Sequence, residues 1–194
     1  MKALRLKNIR KTYFNLRDLA RALNISADSS RVTASRYVKA GLLIRLKPNL
    51  YVLSEEWNNF PLETILLFAN LIQSPSYVSL MTALSYYQIS TQIQQEFIES
   101  IGLKRTKTVR IEKTVFNYSK IKRSLFFGFV KKGDFFIAEP EKALLDAFYL
   151  MALGRYTLDL ASIDFSKFDS EKIRLFSKKF PIKVQNMVAQ YEVA

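Results

Sequence analysis

Between Asn15 and Leu53 the string NLRDLARALNISADSSRVTASRYVKAGLLIRLKPNLYVL changes its apolar period once, and that change constrains the fold more than any other feature of the chain. Up to Gly41 apolar side chains recur at three- and four-residue spacing, as on one face of a helix. Beyond Gly41 they gather in two short runs, Leu42–Leu46 and Leu50–Leu53, around Lys47-Pro48-Asn49, which is the pattern of a β-hairpin. Two helices and a two-stranded ribbon are therefore expected in under forty residues.

The helix ends are written in the sequence. Asn15 can cap the first helix, Asp18 sits in its first turn where the helix dipole favours negative charge, and Leu16, Leu19, Ala20 and Leu23 form its apolar stripe. Asn24 suits the left-handed conformation that ends a helix, and Ile25 follows as an apolar plug. The second helix is expected to open at Asp28 or Ser29 and to close at Gly41, with Ala34, Tyr37, Val38 and Leu42 turned inward. That leaves Ser29, Ser30, Arg31, Thr33 and Arg36 outside. A helix that needed only solubility would mix both charge signs, whereas hydroxyls and guanidiniums suit base edges and phosphates. Arg45, Lys47 and Asn49 would place the hairpin on a phosphate backbone. This pattern is that of a winged helix-turn-helix lying on DNA, with its second helix in the major groove.

Charge supports this division. Thirty Lys/Arg against seventeen Asp/Glu give +13, and residues 1–53 alone hold twelve basic and two acidic side chains, a net of +10. An anionic partner is the expectation. His and Cys are both absent, which excludes disulfides, zinc fingers, thiolate nucleophiles and imidazole catalysis. The N-terminal MKALRLKNIRK lacks the apolar centre of a signal peptide, and no apolar run reaches membrane-spanning length, so a cytoplasmic location without membrane association is expected.

Along the chain, residues 2–14 are expected to form a leading helix with Leu4, Leu6 and Ile9 in its core. The polar stretch Ser54–Asn59 before Pro61 marks a boundary, giving a winged helix-turn-helix domain at 1–56 and a second domain at 57–194. In that domain, helices are expected over 61–72 and 77–87, the second with Leu80, Ala83, Leu84 and Tyr87 inward. A small antiparallel sheet follows over 96–103, 109–118, 124–130 and 135–138, with a hairpin at Lys132-Gly133-Asp134. Pro140 opens a further helix that stops at Gly154, and helical pieces near 157–163, 170–180 and beyond Pro181 complete a mixed domain of helices and sheet. The fold class is α+β.

Two constellations in the second domain invite a functional reading. Between 103 and 132 ten basic residues face Glu112 alone, and Lys104, Arg105, Lys107, Arg110, Lys120, Lys122 and Arg123 could form a second phosphate-contacting surface. Lysines guarding a sheet edge against pairing would look the same. Glu139, Glu141 and Asp146 could instead hold a hard cation, with Lys142 helping to orient water, in a metal-dependent nuclease. Pro140 at the first helical position, Glu141 in the first turn and a Lys142/Asp146 pair one turn apart account for the same residues structurally. No catalytic residue, metal or cofactor is therefore expected. Phe116, Phe127, Phe129, Phe136, Phe148 and Phe165 are expected in the core rather than as stacking platforms. Two alternatives to DNA reading are carried: the nuclease-like enzyme, and a protein-binding regulator.

Tyr13–Ala20, Lys39–Leu43 and Leu50–Val52 resemble the N-terminal winged helix of AbiEi-type antitoxins. Pro75–Leu80 with Ala83–Tyr87, and Ile137–Asp146 (IAEPEKALLD), resemble that family's C-terminal domain. The chain departs from the family at Asn49, where glycine is expected in the wing, and at Tyr87, where histidine is usual. The resemblance implies a bacterial transcriptional repressor that binds double-stranded operator DNA at inverted repeats in its own promoter. It also implies antagonism of a nucleotidyltransferase-like toxin in a type IV system, without a stable complex. Some members of the family are known only as viral-defence regulators. One winged helix covers little DNA, so a dimer on an inverted repeat is expected.

Overall fold

The computed structural model describes residues 6, 8–92 and 96–191 and falls into two compact units, Met1–Thr64 and Ile65–Ala194. In the first unit, α1 (Leu16–Leu23) begins at a full capping box: the Asn15 side chain accepts from the Arg17 and Asp18 N–H groups, and Asp18 accepts from the Asn15 N–H. It ends at Asn24, left-handed at φ 53°. Helix α2 (Ala27–Lys39) is capped two to three residues earlier than the sequence suggests. Its cap is Ser26, in extended backbone, whose hydroxyl oxygen accepts from the Ser29 N–H at 3.2 Å, and Asp28 then falls in the first turn. Gly41, at φ 70°, ends the helical segment.

Strands β1 (Leu43–Lys47) and β2 (Leu50–Leu53) pair antiparallel with an irregularity between Arg45 and Lys47. Asn49 takes the left-handed conformation of the tip at φ 61°, and its side-chain oxygen accepts from the Leu16 N–H at the start of α1. Phe14 bridges Tyr51 through two backbone hydrogen bonds of 2.9 Å. Leu6, Ile9, Phe14, Leu19, Leu23, Ala34, Leu43, Tyr51 and Leu53 form one buried cluster. Leu6 and Ile9 are in the core as expected, but residues 8–14 hold no α-helix and end in the bridge to Tyr51; Lys2, Leu4, Arg5 and Lys7 lie outside the described residues. Leu42 is exposed, and Leu43 takes the inward place. The boundary expected at 56/57 falls inside a 3-10 helix, Ser54–Asn59, with Trp57 buried. The two units divide eight residues later, one turn into α3 (Leu62–Ile72).

The second unit is built on a six-stranded sheet. Its strands are β3 (Ser76–Val78), β4 (Phe97–Gly102), β5 (Lys107–Ile111), β6 (Thr114–Lys120), β7 (Phe129–Lys132) and β8 (Phe135–Ala138), ordered β5-β6-β4-β3-β8-β7. The sheet is mixed, not antiparallel as expected, because β4 runs parallel to β6 and β3 parallel to β8. The strand expected over 109–118 is two strands turned at Glu112 (φ 50°), and the one expected over 124–130 is a 3-10 turn followed by β7. Residues 76–78 are strand, and only α4 (Leu80–Tyr86) is helical in the segment expected as one helix. The β7–β8 hairpin turns at Gly133 as expected. Helix α5 (Pro140–Ala152) starts at Pro140 and stops before Gly154, while α6 (Ser170–Ser177) and α7 (Ile182–Tyr191) follow. Near 157–163 the structure forms only a 3-10 turn, Leu160–Ser162, capped by Asp159. No helix among the described residues is long and apolar enough to cross a membrane.

Candidate nucleic-acid interface

Residues Arg31, Ser35 and Lys39 repeat at four-residue spacing and so share one flank of α2. With Val38 they form one wall of an open groove of about 570 Å³, completed by Arg45, Pro48, Asn49, Tyr51 and Leu16. Arg31, Lys39 and Arg45 are exposed cations, and no ion pair joins them to a carboxylate among the described residues. The groove thus combines apolar lining from Leu16, Val38 and Pro48 with three cations, a chemistry suited to phosphate oxygens.

The sequence-predicted residues divide around this groove. Arg31, Arg45 and Asn49 line it. The Asn49 carbonyl oxygen is occupied by the Leu16 N–H, so this residue fixes the hairpin tip against α1 first. Ser29 and Arg36 are exposed on α2 but not among the lining residues; Thr33 and Lys47 are half-buried. Ser30 corrects the expected register: it is fully buried, and its hydroxyl donates to the Ala27 carbonyl at 2.6 Å, so it cannot meet a base. Ser35 and Lys39 also line the groove and are not among the residues expected from the sequence, although their four-residue spacing from Arg31 is legible there. Val32, 52% exposed, stands among these polar side chains.

The second basic group lies at the β5–β6 side of the sheet. Lys104, Arg105, Arg110, Lys120, Lys122 and Arg123 are exposed, and Lys107 is half-buried with its ammonium 5.3 Å from the Tyr118 ring centre.

The four residues considered for metal chemistry separate into two pairings. Glu139 and Glu141 face Lys172 at 2.7 and 3.4 Å. Lys142 and Asp146 are fully buried and paired with each other. Tyr77 and Ser79 donate to Asp146 at 3.0 and 2.9 Å, and the Lys142 ammonium donates to the Tyr77 oxygen at 2.8 Å. The rings of Tyr77, Phe127 and Phe180 surround the ammonium at 5.3–5.4 Å. Burial pulls the Lys142 pKa down and pushes those of Asp146 and Tyr77 up. The two C-terminal strings singled out in the sequence therefore meet in a buried polar knot between β3 and α5. Tyr87, half-buried, has its pKa pushed up to about 12 by burial and lies 4.7 Å below the Lys132 ammonium. Of the six phenylalanines expected in the core, Phe116 and Phe148 are buried, Phe127, Phe129 and Phe165 half-buried, and Phe136, on β8, is 41% exposed.

No protein-family model and no curated protein matches this sequence. Among solved structures, the chain is similar to the RV2827C protein from Mycobacterium tuberculosis, with a TM-score of 0.60 and 11% sequence identity over 94% of this chain and 71% of the other. At that identity the likeness shows the α+β fold alone.

Proposed function

We propose that the chain is a DNA-binding transcriptional repressor whose first unit acts as a winged helix-turn-helix, with α2 as the reading helix and β1–β2 as the wing. The observation that carries this reading is the groove in which Arg31, Ser35 and Lys39 of α2 face Arg45 of the hairpin without an opposing carboxylate among the described residues. The hairpin wall of the groove is tied to α1 at Asn49–Leu16 and to the segment before it at Phe14–Tyr51. In this reading Arg31 and Ser35, with the exposed Ser29 and Arg36, approach base edges, while Lys39 and Arg45 meet phosphates.

The sequence resemblance supports a narrower reading: a cytoplasmic antitoxin that represses its own promoter at inverted repeats, as a dimer on DNA, and opposes a nucleotidyltransferase-like toxin without a stable complex. The test is binding of the purified full chain to its own upstream DNA and to a scrambled duplex across a salt series. Preference for the upstream sequence that persists as salt rises supports the repressor; equal binding that collapses with salt refutes sequence reading. Rescue of growth from the neighbouring toxin tests the narrower claim.

A further inference from the structure

Five cations gather at one end of the six-stranded sheet, where β4 ends, β5 begins and β6 ends. Lys104 and Arg105 lie in the loop between Gly102 and Lys107; Lys120, Lys122 and Arg123 lie at and just beyond the end of β6. Hydrogen bonds hold these two segments together: the Lys120 N–H donates to the Thr106 hydroxyl at 3.0 Å, the Ile121 N–H to the Gly102 carbonyl at 3.2 Å, and the buried Gln73 amide to the Arg105 carbonyl at 3.0 Å. All five side chains are exposed, and none forms an ion pair with a carboxylate among the described residues. Glu112, the one acid between 103 and 132, sits in the turn at the opposite end of the β5–β6 hairpin.

Guarding the sheet edge does not explain this placement. The edge strand on this side of the sheet is β5, and the five cations fall outside it; β6 has neighbours on both sides, so its end offers no open edge to protect. A membrane surface fits poorly as well, because no large apolar side chain from 103 to 125 is exposed for insertion. Unpaired cations on a fixed backbone, with no apolar neighbour to bury, match a linear polyphosphate.

We propose that this end of the sheet is a second nucleic-acid surface that grips the phosphate backbone of duplex DNA without reading its sequence. The inference rests on the chain being a DNA-binding protein, and it assigns unit 2 the sequence-independent part of affinity. The test uses the full chain, random-sequence duplex DNA and the variant K104A/R105A/K120A/K122A/R123A. If three of the five charges meet phosphates, the slope of log affinity against log salt becomes shallower by about 2.7. Preference for the upstream DNA over random DNA stays at its wild-type ratio. The charge-retaining variant K104R/R105K/K120R/K122R/R123K keeps the wild-type slope, and both variants melt with the wild type.

An unchanged slope in the alanine variant overturns the inference, and so does an equal slope change in the charge-retaining one. Loss of binding to phosphatidylserine vesicles with no loss on DNA overturns it in favour of a membrane. Failure of the repressor reading shows separately, as a wild type with no preference between upstream and random DNA, because the slope comparison does not depend on sequence preference.

Discussion

Lys142→Met should destabilise the second unit by about 3–5 kcal/mol, since it removes one partner of a buried ion pair and leaves the other charge uncompensated. Asp146 would keep only the Tyr77 and Ser79 hydroxyls as donors inside a site with no solvent exposure. For a unit of 130 residues, ordinary stability is about 6–20 kcal/mol, so this one change removes a substantial part of it. K142M/D146L deletes both charges in apolar side chains of similar length, which by itself is neutral to stabilising by about 1–4 kcal/mol. It also orphans two buried hydroxyls at about 1–3 kcal/mol each, so the double variant should fall between Lys142→Met and the wild type. Adding Tyr77→Phe and Ser79→Ala removes the orphans, and the quadruple variant should return to wild-type stability or exceed it. Urea unfolding followed by far-UV circular dichroism measures the series. Trp57 belongs to the first unit, so its fluorescence follows that unit separately. A Lys142→Met variant within about 1 kcal/mol of wild type would refute the buried-pair argument. A quadruple variant no more stable than the single one would show that the hydroxyls were not the remaining cost.

Asp18→Ala should cost the first unit about 1 kcal/mol through loss of its capping box. The Lys11 hydrogen bond holds the Asp18 carboxyl below the usual carboxylate range. Its stabilisation is therefore complete above that range and lost as pH falls through the lowered pKa, so melting of wild type and Asp18→Ala should converge in acid. Asn49→Gly keeps the left-handed tip but loses the bond to Leu16, about 0.5–1.5 kcal/mol in a denaturant titration; Asn49→Ala should cost about 1–2 kcal/mol more for positive φ. Gly128→Ala adds a methyl 3.0 Å from both Lys142 and Phe176 at φ +68°, and calorimetry should show a loss of about 2–5 kcal/mol from overpacking and backbone strain together.

What was legible in the sequence is local. Asn15, Asp18 and Asn24 mark the ends of α1 by side-chain chemistry that acts within four residues, and Pro48-Asn49, Gly133 and Pro140 mark turns and a helix start in the same way. Strand β3 was not legible because it is three residues long, buried throughout and followed at once by α4, so an apolar run reads equally as helix. The parallel pairings β4–β6 and β3–β8 join segments whose proximity no local pattern encodes. Ser30 was misplaced because a serine donating to the carbonyl three residues back looks, in sequence, like any exposed hydroxyl of a polar helix. Lys142 and Asp146 have the spacing of a surface pair on a solvated helix face; only the fold reveals Tyr77, Phe127 and Phe180 around them.

The Lys142/Asp146 pair, expected as a structural contact one turn apart and found as one, bears on where function lies in this chain. IAEPEKALLD carries part of the family resemblance in the second unit, and such a motif invites the inference of a site. Here Ala143, Leu144 and Leu145 are core, Glu141 closes onto Lys172 and the Asp169 N–H, and Lys142 and Asp146 tie α5 to Tyr77 and Ser79. Each of these contacts holds the unit together, so a substitution at Lys142 or Asp146 that abolishes an activity reports unfolding before it reports chemistry. Exposed cations behave in the opposite way. Arg31, Lys39 and Arg45 in the groove, and Lys104, Arg105, Lys120, Lys122 and Arg123 at the sheet end, can be neutralised with little cost to the fold. Loss of binding at those positions in a protein that still melts normally identifies the surface that acts.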